Sequence, residues 1–187
     1  ILKSCKEFSN NYIITLYNYW FSKEKNKVIL ITEISLSGTI ESFIERVQKV
    51  KIKTIKKWCK QILIGLNFLH KNNIVHRDIK CENIFINGNT GNVFIGDFGL
   101  SKKITEKSRS VVGTPEFMAP EVYDEIYNES IDIYSFGMCL LEMLTNEKPY
   151  LECDTVGKVL KNVINDIKPK SLEQVMIPNA KEIISKC

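Results

Sequence analysis

The sequence predicts an α+β domain in which a small β region precedes a larger helical body. Three observations carry this. Residues 13–17 (Ile-Ile-Thr-Leu-Tyr) and 28–32 (Val-Ile-Leu-Ile-Thr) are β-rich runs joined by the polar stretch 23–27, the pattern of an antiparallel strand pair. Ile52, Ile55, Cys59, Ile62, Leu63, Leu66 and Leu69 recur at steps of three and four, which places one apolar stripe on a helix. Residues 131–144 form the most apolar segment and predict a buried central helix.

Taken in chain order, the strand pair comes first and the long helix ends near His70. Residues 83–86 and 93–95 then flank the turn 87–92, whose Asn-Gly and Thr-Gly steps suit a hairpin. Its glycines do not form a phosphate loop, because neither G-x-x-x-x-G-K nor a following helix accompanies them. An irregular stretch from 101 to 121 precedes the apolar helix. Trp20 and Trp58 are expected in packing positions.

Composition narrows the class. The 187 residues suit one domain, and 44% apolar with 26% charged residues excludes a disordered or fibrous chain. Net charge is +4, short of a nucleic-acid footprint. The lysines at 49, 51, 53, 56 and 57 are expected to form a solvated helix face, with docking of an acidic partner as the alternative. The six cysteines lack a C-x-x-C pair, so a reducing, cytoplasmic setting without disulfides or zinc is expected. Cys81 is expected to be inert. No apolar run approaches the ~18 residues of a membrane span. The start, Ile-Leu-Lys-Ser, has neither an initiator Met nor a signal-peptide shape, so the chain is expected to begin within a longer protein.

Chemistry concentrates in three motifs: His76-Arg77-Asp78-Ile79-Lys80-Cys81-Glu82-Asn83, then Asp97-Phe98-Gly99, then Ala119-Pro120-Glu121. In this order and spacing they resemble the H-R-D, D-F-G and A-P-E signatures of eukaryotic protein kinases. Phosphoryl transfer runs through a loose anionic transition state, so it needs positioning and charge neutralisation more than covalent chemistry. The resemblance implies that Asp78 orients the acceptor hydroxyl, Lys80 neutralises the transferred group, and Asn83 and Asp97 hold Mg²⁺ on ATP. His76 reads as a structural histidine, and Arg77 as a residue that caps carbonyls or collects a phosphate.

Lys80 after the aspartate, together with Gly113-Thr114-Pro115, follows the serine/threonine pattern. Residues 79–88, 113–121 and 132–139 are similar to the With-No-Lysine (WNK) family, with Phe98 standing where that family carries the leucine of its chloride-sensing pocket. The resemblance implies that Thr32 is the gatekeeper, Glu33 to Ser35 the hinge on adenine, and Phe85 the floor beneath the base. It places Thr114 as a bridge to Asp78 and Lys80, and Asp132 as a buried acceptor of loop amides. Ser110 becomes the activating phosphorylation site, with Ser108 the weaker candidate. Residues 1–35 would be the end of a small lobe and hinge, and 36–187 a larger lobe, running from the end of the family's αC helix into its αH. Both ends then read as truncated: the glycine-rich loop, the phosphate lysine and the arginine partner of Glu121 fall outside. The expected activity is ATP- and Mg²⁺-dependent phosphorylation of serine or threonine in proteins, weak or absent in residues 1–187 alone. The alternative is a non-catalytic pseudokinase or docking module.

Overall fold

The computed structural model describes residues 10–103, 110–124 and 127–187; the starting Ile-Leu-Lys-Ser, Cys5 and Ser108 lie outside them. Strands β1 (Leu16–Ser22) and β2 (Lys27–Thr32) pair antiparallel, with Leu16 opposite Thr32 and Trp20 opposite Ile29. The first strand therefore starts three residues later than the β-rich run suggested. Ile13 and its neighbours are used elsewhere. The Ile14 amide donates to the Ile95 carbonyl (2.8 Å) and the Ile95 amide to the Tyr12 carbonyl (2.9 Å), so this segment runs parallel to a later strand and buries Ile13. The strand pair keeps much of its apolar surface in solvent. Trp20, expected inside, is 46% exposed, while Trp58 is buried.

Helix α1 (Ile40–Val47) is an element the periodicity had not separated from its neighbour. It starts at Thr39, whose hydroxyl accepts from the Ser42 amide while Ser42 reciprocates, a capping box that ties down two otherwise orphaned amides. Helix α2 (Ile52–Lys71) carries the expected stripe inward at Ile55, Ile62, Leu66 and Leu69, whereas Cys59 is half-buried and Ile52 and Leu63, counted in the same stripe, stay exposed at its edges.

The hairpin of β4 (Ile84–Asn87) and β5 (Asn92–Ile95) lies along α2. Polar groups of that helix fix it: Trp58 Nε1 donates to the Gly91 carbonyl (3.2 Å), and Gln61 accepts from the Val93 amide (3.0 Å) while donating to Asn92 (2.9 Å). Gly91, at φ 63°, takes the left-handed turn conformation that glycine enters without a Cβ penalty. Two short strands, β3 (Ile74–Val75) and β6 (Lys102–Lys103), pair antiparallel. They bring together the two ends of the intervening segment, which contains the first two motifs.

Helix α3 (Ser130–Thr145) is the centre: it is apolar around its whole circumference and buried along nearly all its length. It ends at Asn146 in the left-handed conformation. Helices α4 (Val156–Ile164) and α5 (Pro178–Lys186) complete the body. Among the described residues no helix is long and apolar enough to cross a membrane, and the five cysteines are free thiols.

Candidate active site

The loop from His76 to Asn83 leaves β3 and enters a single 3₁₀ turn, Cys81–Asn83, before β4. Its anchor is Asp132, a fully buried carboxylate in the first turn of α3. Oδ2 accepts from the His76 amide and from His70 Nε2, and Oδ1 accepts from the Arg77 amide, each at 2.9 Å. Three donors on one carboxylate offset the cost of burying its charge. They also hold Arg77 at φ 69°, a region that residues with a Cβ seldom enter.

His76 is fully buried and works as a brace. Its Nδ1 accepts from the Asp78 amide (3.3 Å), which leaves Nε2 to carry the hydrogen donated to the Gly96 carbonyl (2.8 Å). The Phe98 ring meets it edge-on with centroids 5.1 Å apart. One imidazole thus couples the 76–83 loop to the segment containing Asp97.

The loop's polar side chains then meet. Asn83 Nδ2 donates to the Asp78 carbonyl (2.8 Å) and to its Oδ2 (2.9 Å), while the Asn83 carbonyl accepts from the Gly96 amide (2.9 Å). Thr114 Oγ1 donates to Asp78 Oδ1 (2.8 Å). Gly113 makes that approach possible: at φ 132°, a Cβ there would stand 2.8 Å from the Arg77 carbonyl. Lys80 Nζ sits 3.7 Å from Asp78 Oδ2 and 3.1 Å from Glu82 Oε2. Burial works against its charge, but the Glu82 hydrogen bond and the Asp78, Glu82 and Asp97 carboxylates outweigh it, so the ammonium pKa is raised. Lys80 is a cation. Among the described residues the Thr114 hydroxyl is bonded to Asp78 and not to Lys80, so the bridge expected to both is half made.

Asp97 follows Gly96 directly, lies exposed at φ 53°, and accepts from the Gly99 amide through Oδ1 (3.1 Å). Asp78, Lys80, Asn83 and Asp97 therefore share one location on the helical body. The donor set suits a hard divalent cation. Asn83 spends its amide nitrogen on Asp78 and leaves Oδ1 as a neutral oxygen, while its backbone carbonyl holds the amide of Gly96, the residue before the exposed Asp97 carboxylate. Among the described residues no group of three or more His, Cys, Asp or Glu forms a complete metal cage. Two protein ligands are what Mg²⁺ takes when phosphate oxygens and water fill the rest of its shell.

The other expected positions spread over the neighbouring segments. Thr32 ends β2 and donates from Oγ1 to the Glu33 carbonyl (3.2 Å), and the Glu33 amide donates to the Thr15 carbonyl (3.0 Å). The Ser35 hydroxyl reaches the Ile86 carbonyl (2.7 Å), pinning the segment after β2 to the hairpin. The Phe85 ring stacks on Phe94 at 5.8 Å. Glu121 accepts from Ser130 Oγ (3.2 Å). Arg77 Nε donates to the Leu100 carbonyl and Nη1 to Ser110 Oγ, both at 2.6 Å.

Three residues escaped the motif reading. Tyr127 accepts from Arg77 (3.3 Å) and donates to the Ser110 carbonyl (2.9 Å); nothing in local spacing marks it. Glu82 partners Lys80, and its place inside the first motif was the available signal. Glu142 is a buried carboxyl on α3 whose Oε2 lacks a hydrogen-bond partner among the described residues. It lines a cavity of about 130 Å³ with Lys80, Glu82 and Thr114. Cys81, also fully buried, has its thiol pKa pushed well up by desolvation, in keeping with an inert role.

The family described as Protein kinase domain matches residues 1–187. The chain is 50% identical over 188 residues to Serine/threonine-protein kinase Wnk of Drosophila melanogaster, covering 97% of this chain and 8% of that protein. It is 51% identical over 186 residues to Serine/threonine-protein kinase WNK8 of Arabidopsis thaliana, covering 97% and 33%. Serine/threonine-protein kinase WNK of Caenorhabditis elegans is 46% identical over 191 residues, covering 97% and 10%. The chain thus spans a third or less of the length of these curated relatives.

Proposed function

Because the chain belongs to the protein kinase family and is similar within it to the WNK serine/threonine kinases, we propose that the protein transfers the γ-phosphoryl group of ATP to serine or threonine hydroxyls of other proteins. The observation that carries this is the Asp78 carboxylate, held through one oxygen by Thr114 and through the other by Asn83, with Lys80 alongside.

Each of these residues has a task. Asp78 accepts or orients the proton of the incoming hydroxyl, and its two fixed oxygens remove the rotamer search that would otherwise precede attack. Lys80, charged throughout the physiological range, neutralises the transferred group. Asn83 Oδ1 and the Asp97 carboxylate would hold Mg²⁺, which when bound supplies neutralisation of the phosphate oxygens. The segment 32–35 and Phe85 would flank the adenine. Asp132 and His76 hold the loop and the Asp97 segment in one frame without touching substrate. Phosphate on Ser110 would meet the Arg77 guanidinium beside Asp78. A cytoplasmic setting belongs to the same proposal and rests on the cysteine usage of the sequence.

The test is transfer of labelled phosphate from ATP to a protein substrate by the intact protein, with the product hydrolysed to identify the modified residue. Labelled phosphoserine or phosphothreonine that requires Mg²⁺ is expected; no transfer, or label on tyrosine alone, overturns the reading.

A further inference from the structure

Lined by none of the residues of the Asp78 cluster, an open groove of about 450 Å³ lies between the end of α1, the start of α2, the end of α3 and residues 174–177. Its volume is in the range that accepts a small ligand or a few side chains. Ile44, Ile55, Met143 and Val175 line it and are buried, while Ile52 (39% exposed) and Met176 (88% exposed) stand at its edge. An unbranched thioether left almost wholly in water at the lip of an apolar groove is an adaptable contact.

The groove's electrostatics are one-sided. No Asp or Glu lines it, and its polar lining is Lys49 with neutral amide and hydroxyl side chains. Lys49, Lys51, Lys53 and Lys56 are exposed in the connection to α2 and its first turns, and among the described residues none of them pairs with a carboxylate. Lys57 differs: its ammonium donates to the Thr90 and Gly91 carbonyls. The first turn of α2 has no acidic residue and no side-chain cap, so the positive end of a twenty-residue helix dipole adds to the same field. The lysine run is thus a solvated face with a hydrophobic groove at its end.

We propose that this groove docks a short segment of a partner protein in which apolar side chains alternate with aspartate or glutamate. Apolar side chains would fill the groove over Ile55 and Met143, and flanking carboxylates would meet Lys49, Lys51 and Lys53. Complementary charge at an exposed rim mainly speeds encounter and selects the partner, so binding weakens as salt rises.

The experiment titrates the intact protein into a fluorescein-labelled twelve-residue peptide, Asp-Glu-Leu-Glu-Asp-Leu repeated twice, and into a twin with lysine at every acidic position. Saturable anisotropy is expected for the acidic peptide, about tenfold weaker for the twin, and weaker at higher salt. Met176→Asp and the double change Lys49→Glu with Lys53→Glu should each weaken binding by about tenfold, and Lys181→Glu on α5 should leave it unchanged. Met176 is almost fully exposed, so its substitution leaves the fold intact. Failure of the acidic peptide to bind, equal binding of the twin, or indifference to these substitutions overturns the proposal. So does sedimentation showing a dimer abolished by Met176→Asp, which would give the groove to a second copy.

Discussion

Nη1 of Arg77 donates to Oγ of Ser110 across 2.6 Å, and Nε of the same guanidinium holds the Leu100 carbonyl. The residue next to Asp78 in the chain is therefore already in contact with an acceptor hydroxyl on the far segment. Phosphate at Ser110 would add roughly −1.5 to −2 charges where a guanidinium can pair with it. Ser110→Ala should lower phosphoryl transfer by about tenfold or more, and mass spectrometry of the active protein should find phosphate on Ser110. Full activity in the alanine variant with no phosphate at that serine would contradict the assignment.

Asp132 holds three donors from two segments, so its loss should be felt as stability as well as activity. Asp132→Ala leaves the buried His76 amide, the Arg77 amide and the His70 ring without their acceptor. A loss of about 3 kcal/mol is expected in urea unfolding, because removing one partner of a buried charged network strands the others. A change below about 1 kcal/mol would show that water replaces the carboxylate.

Glu142 gives a pH dependence with a definite sign. Burial pushes its carboxyl up from 4.5 to about 7, Glu41 and Glu45 add to the rise, and Cys81 and Lys148 oppose it. The folded state keeps this proton to higher pH than the unfolded chain does. Its contribution is therefore fully present below about 4.5 and is lost as pH rises to about 7, at a cost of about 3 kcal/mol across the window. Glu142→Gln removes the titration, so its urea midpoint should gain on the wild type between pH 5 and pH 7.5. A constant difference between the two proteins over that range would place the titration elsewhere.

Much of the architecture was legible because its signals are local. The 3.6-residue stripe gave α2, the continuous apolar run gave α3, and the turn residues between two short β runs gave the hairpin. The Asp78 loop and Asp97 were readable from motif order. What escaped depends on contacts distant in sequence. Ile13 looks like the start of a strand with residues 28–32, yet its segment pairs with Ile95, whose β5 the helix α2 positions through Gln61. Trp20 alternates correctly for a strand, but burial is decided by what packs on that strand, and Trp20 stays in solvent. Tyr127 and Glu142 carry no motif, and only the folded chain brings them to Arg77 and Lys80.

Asp97 tests the cation-holding side of the site. Asp97→Asn keeps the side-chain shape and the bond from the Gly99 amide but removes the anionic oxygen, so transfer at saturating Mg·ATP should fall by about a hundredfold or more with the melting temperature unchanged. Raising Mg²⁺ should recover part of the loss. Wild-type rates in this variant would exclude Asp97 from holding the cation.

The central claim is that Asp78, fixed by Thr114 and Asn83, orients the hydroxyl that receives phosphate. Single-turnover transfer from ATP to a serine or threonine of a protein substrate, compared between the intact wild-type protein and Asp78→Ala, tests it most directly. A loss of about a hundredfold or more is predicted, with ATP binding and thermal stability retained. Transfer at the wild-type rate in the folded Asp78→Ala protein would contradict it.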